Sequence, residues 1–72
     1  MTDTALLKYY LERNKITQSE LAKMLGITVQ SLNTKINNKR AFSTDEIFRI
    51  TKLLNISLEE REKIFFYVEC TQ

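Results

Sequence analysis

Between Gln18 and Arg40 the chain interleaves side chains that can hydrogen-bond base edges with cations that can neutralise phosphate. In helical register Val29, Gln30, Asn33 and Thr34 fall on the side opposite Leu32 and Ile36. A Gln or Asn amide can pair bidentately with adenine, a hydroxyl can meet several base edges, and an apolar tip such as Val29 can touch a thymine methyl. Ser31, at the edge of that face, together with Gln18, Ser19, Lys35, Lys39 and Arg40, suits phosphate oxygens, which orient a protein without reading sequence.

Such a face must be carried by a rigid corner. Ala22 sits where two helices would touch, and Gly26 follows four residues later, where a sharp turn needs a residue tolerant of positive φ. Leu21, Leu25 and Leu32 supply the apolar side. This is the spacing of a helix-turn-helix, whose second helix is shaped to enter the major groove. Free N–H groups at the start of the first helix of the pair, beside Gln18 and Ser19, are suited to a phosphate.

The rest of the chain reads as helices. Thr17…Glu20, Ser43…Glu46 and Ser57…Glu60 each have capping-box spacing ahead of a helical apolar pattern. Helices are expected over about Thr4–Arg13, Gln18–Leu25, Thr28–Asn37 and Thr44–Leu54, with a fifth after Ser57. The first buries Leu7, Tyr10 and Leu11 with Leu6 beside them, and the fourth turns Ile47, Ile50 and Leu54 inward, flanked by Phe48 and Leu53. In the fifth, Leu58 and Phe65 stand a heptad apart on one face. Asn14-Lys15, Asn37-Asn38 and Asn55 are the breaks, and Asn tolerates the left-handed conformation. The predicted fold class is all-α, a single domain over residues 1–72.

Charge is unevenly spread. The net +2 conceals a segment, residues 13–40, with six cations against Glu20 alone, while the flanks are net negative. The excess falls where phosphate binding would need it. An architectural, non-specific DNA binder would normally need more charge than this. There is no His, Cys70 is the lone cysteine, and no glycine-rich phosphate loop is present, so neither a catalytic pair nor a metal cluster is expected, and no cofactor. No apolar run approaches the roughly 18 residues of a membrane span, and no signal peptide is evident. A free thiol and no leader point to the cytoplasm.

QSELAKMLGITVQSLNTKI, followed by NNKRAFSTDEI, LLNIS and IFF, resembles the Cro/CI-type (XRE-like) helix-turn-helix regulators of phages and prophages over about residues 5–67. The resemblance implies a compact five-helix, lambda-repressor-like fold and a transcriptional repressor that binds palindromic double-stranded operators as a homodimer. It implies base or phosphate contacts at Gln18, Thr28, Val29, Gln30 and Thr34, and a backbone grip at Asn38-Lys39. Two residues depart from the pattern: Asn38 stands where glycine is usual, and Lys35 where an apolar residue is common. With no sensor domain in these 72 residues, a Cro-like regulator is expected over a full-length lysogeny repressor.

The run Ile64, Phe65, Phe66, Tyr67 and Val68 is apolar all round and reads equally as helix or strand. Two readings stand side by side: Phe65 and Val68 pack on the core with Phe66 and Tyr67 partly exposed, or the run is a homodimer surface. The rival reading is a protein-interaction module of the same fold, an antirepressor or antitoxin-like partner. Such a module would be expected to lose the polar and basic residues that this chain keeps between Gln30 and Arg40.

Overall fold

A computed structural model describes residues 1–66 as five α-helices, with no strand among the described residues. They are α1 (Thr4–Arg13), α2 (Gln18–Leu25), α3 (Val29–Ile36), α4 (Thr44–Leu53) and α5 (Leu58–Phe65). Each starts at a residue whose side-chain oxygen accepts a first-turn amide: Asp3, Thr17, Thr28, Ser43 and Ser57. All three expected capping boxes are closed in both directions.

The helix ends follow one rule. Lys15, Gly26, Asn38 and Asn55 take positive φ of 57°, 73°, 65° and 53°. The amide of the next residue then bonds back into the last turn: Ile16 to Leu11, Ile27 to Ala22, Lys39 to Thr34 and Ile56 to Thr51, at 2.9–3.0 Å. In three of the four, that next residue is an isoleucine packed in or against the core. In the fourth it is Lys39, exposed.

Leu7, Leu21, Leu32, Ile36, Ile50, Leu54 and Ile64 are fully buried, and Phe42 meets Phe65 edge to face at 5.5 Å. The N-terminal segment is stitched across this core. Asn38 accepts from the Thr2 amide at 2.8 Å and donates to the Thr2 carbonyl at 2.9 Å. The Asp3 amide donates to the Ile64 carbonyl, and the Thr4 hydroxyl to the Ile36 carbonyl. At the opposite end the Asn14 amide donates to the Leu54 carbonyl, joining α1 to α4.

Two expectations fail. Leu58 is 68% exposed rather than a core partner of Phe65, while Ile56, whose amide bonds the Thr51 carbonyl, is buried just before the helix. Ile64 and Phe65 lie inside the core at 0% and 4% exposure, which removes them from a self-association surface and agrees, for Phe65, with the reading that packs it on the core. Of the expected run only Phe66 is half-exposed; Tyr67 and Val68 lie outside the described residues.

Glu20, Glu46 and Glu60 are each held below the ordinary 4.5 of a glutamate. The Thr17 amide does this at Glu20, and the Tyr10 hydroxyl, then the Ser57 amide, at Glu60. At Glu46 burial pushes upward, but the bonds from Lys35 and the Ser43 amide outweigh it. The Tyr10–Glu60 bond also raises Tyr10 above 10.0. Depressed carboxylates stabilise the fold above 4.5 and lose that contribution as pH falls through their folded values; a raised tyrosine loses its contribution as pH climbs past 10. Thermal melts followed by circular dichroism should therefore plateau near neutrality and fall on both sides, with Glu60→Gln weakening both declines. A wild-type profile flat down to pH 3 would contradict these assignments.

Candidate nucleic-acid interface

The α2–α3 corner is built by Gly26. Its backbone is left-handed, and a Cβ placed there would meet nothing within 4 Å. Conformation, not space, selects glycine. The turn brings Ala22 (1% exposed), Leu21 and Leu25 of α2 against Leu32 and Ile36 of α3, and these five fill the inside of the corner. With Leu32 and Ile36 committed inward, helical geometry turns the opposite face of α3 out.

That face is bare. Val29 is 45% exposed, Gln30 and Asn33 are exposed, and Ser31 and Thr34 are half-buried at its sides. Thr28 caps the helix through the Ser31 amide at 3.0 Å and is itself exposed. The Thr34 hydroxyl donates to the Gln30 carbonyl at 2.9 Å, which leaves its oxygen free to accept from a further donor. Asn33 accepts from Asn37 at 2.8 Å, which steadies its amide. Across the corner, the Thr17 capping box uses the Glu20 amide and leaves the first-turn amides of α2, beside Gln18 and Ser19, without helical partners.

The profile of the helix-turn-helix family matches residues 7–61. The chain belongs to this helix-turn-helix family. It is 38% identical over 66 residues to a protein of Methanocaldococcus jannaschii named "Putative transcriptional regulatory protein", an alignment covering 83% of this chain and 48% of that one. The chain thus spans about half the length of the curated relative it matches. No solved structure matches it.

Within this helix-turn-helix, two expected phosphate contacts are otherwise engaged. Lys35 does not face outward: its Nζ lies 2.5 Å from Glu46 Oε2, and the two side chains are only 13% and 12% exposed. Asn38 spends its side-chain amide on both backbone groups of Thr2. Lys39 and Arg40 remain exposed and make no ion pair among the described residues. No carboxylate belongs to α3, and Glu20 of α2 is bonded into its own cap.

Lys8 and Lys15, absent from the expected contact set, line a depression with Thr17 and Gln18 at the start of α2, with Glu12 on the same rim. The positive φ of Lys15 places it there, a conformation that nothing in the sequence around a lysine announces. Among the described residues there is no cluster of His, Cys, Asp and Glu able to hold a metal ion, and no helix is long and apolar enough to cross a membrane.

Gly26→Ala tests the corner. With open space around the position, only the left-handed backbone is penalised, by about 1–2 kcal/mol. Urea unfolding should report a loss of that size with an unchanged denaturant slope, and a neutral substitution would contradict the stated origin of the turn.

Proposed function

We propose that this chain binds double-stranded DNA in a sequence-dependent way and regulates transcription, with α3 in the major groove. The observation that carries the reading is the uncovered polar face of α3, free of carboxylates and set between the open N-terminus of α2 and the exposed Lys39-Arg40 corner. Membership of the helix-turn-helix family and the name of the archaeal relative support it. In this proposal Thr28, Val29, Gln30, Asn33 and Thr34 meet base edges. Gln18, Ser19, Ser31, Lys39 and Arg40 meet phosphates, with Lys8 and Lys15 adding charge at the α2 end. A Cro-like repressor acting as a homodimer on a palindromic operator in the cytoplasm belongs to the same reading.

The division of labour is testable by fluorescence anisotropy on a duplex selected from a random pool and on an unrelated duplex. The four phosphate-neutralising cations per chain, Lys8, Lys15, Lys39 and Arg40, should make affinity fall on the order of 100-fold between about 50 and 200 mM salt. Gln30→Ala and Thr34→Ala should each cost about 1–3 kcal/mol on the selected duplex and little on the other, whereas Lys39→Ala should weaken both alike and lower the salt slope by about 1. Equal losses on both duplexes for all three variants would refute the assignment. A wild-type chain that binds neither duplex at low salt would favour the protein-interaction reading.

A further inference from the structure

Lys35 is the only cation on α3, and it points away from the proposed DNA face into a largely enclosed ion pair. Its partner is doubly employed. Glu46 Oε1 accepts the Ser43 amide at 2.8 Å and closes the α4 cap, while Oε2 takes Lys35 at 2.5 Å. One carboxylate thus joins the last turn of α3 to the first turn of α4, across the connection that carries Lys39 and Arg40. Of the other anchors of α3, Leu32 and Ile36 make apolar, non-directional contact, and the bond from the Thr4 hydroxyl to the Ile36 carbonyl ties the helix end to α1, not to α4. A charge-assisted hydrogen bond is short and directional. Base-edge recognition needs its side chains held to within about 0.5 Å.

We infer that the Lys35–Glu46 pair is a specificity-determining brace, which sets the pitch of α3 against α4 so that Gln30, Asn33 and Thr34 meet their base edges, while Lys35 touches no DNA. Moving Lys35 out to a phosphate would strand a carboxylate that is only 12% exposed, an unfavourable exchange. Fixing geometry rather than adding stability is the best-attested use of such pairs. The inference rests on the DNA-binding reading above.

The test compares Lys35→Met, which keeps an unbranched stem without the charge, Glu46→Gln, which keeps a carbonyl oxygen for the Ser43 amide, and Lys35→Arg, which keeps the pair. Each is checked for helix content by circular dichroism, then titrated with the wild-type selected duplex and an unrelated duplex across a salt series. The brace predicts that Lys35→Met and Glu46→Gln lose about tenfold or more of their preference for the selected duplex. Lys35→Met should keep the wild-type salt slope and its affinity for unrelated duplex. The double variant should lose no more than either single change, and Lys35→Arg should retain the preference. A salt slope lowered by about 1 in Lys35→Met would make Lys35 a phosphate contact and overturn the inference. So would an undiminished preference in Glu46→Gln, the variant that stays informative if Lys35→Met does not fold. If the wild-type chain enriches no duplex, the DNA-binding reading fails and the brace with it; enrichment with indifferent variants sinks the brace alone.

Discussion

Helices of eight to ten residues are too short to persist alone, so this fold depends on how their ends are satisfied. The chain meets that constraint with side chains that do two jobs. Glu46 and Glu60 each close a capping box with one oxygen and bond a distant helix with the other, Lys35 of α3 in one case and Tyr10 of α1 in the other. Asn14 and Asn38 bind backbone groups 40 and 36 residues away. The bonds that finish each helix therefore also fix where it lies relative to its neighbours.

The exposed face of α3 is a consequence of that arrangement. Leu32 and Ile36 plug the corner made by Gly26, the Thr4 hydroxyl holds the Ile36 carbonyl, and Glu46 holds Lys35. Three of the four left-handed helix ends pack the isoleucine that follows in or against the core; the end of α3 alone exposes a lysine instead. A local rule kept three times and broken once is where function is expected to override stability. The break falls at Lys39, beside Arg40, on the rim of the polar face.

Much of this was legible in the residues. Three S/T-x-x-E spacings announced α2, α4 and α5, and Gly26 with Ala22 announced the corner. Asparagines at 38 and 55 marked left-handed ends because few other residues tolerate them. What stayed hidden depends on contacts far apart in sequence. Lys35 reads as a phosphate contact until Glu46 is seen opposite it, and nothing near Thr2 in the sequence points to Asn38, which holds both its backbone groups. Leu58 and Phe65 share a heptad, yet only Phe65 meets the core, which also takes Ile56 from outside the helix.

In the proposed mode of binding, the helical frame presents α3, uncovered, to a duplex. The most direct measurement is a titration of isotopically labelled chain with duplex DNA, followed by backbone and side-chain amide shifts. The largest changes should fall on Gln18, Ser19, Thr28–Thr34 and Lys39-Arg40, with the Gln30 and Asn33 side-chain amides among them. Changes centred on the exposed apolar residues Phe48, Leu53 and Leu58, leaving α3 unmoved, would contradict it.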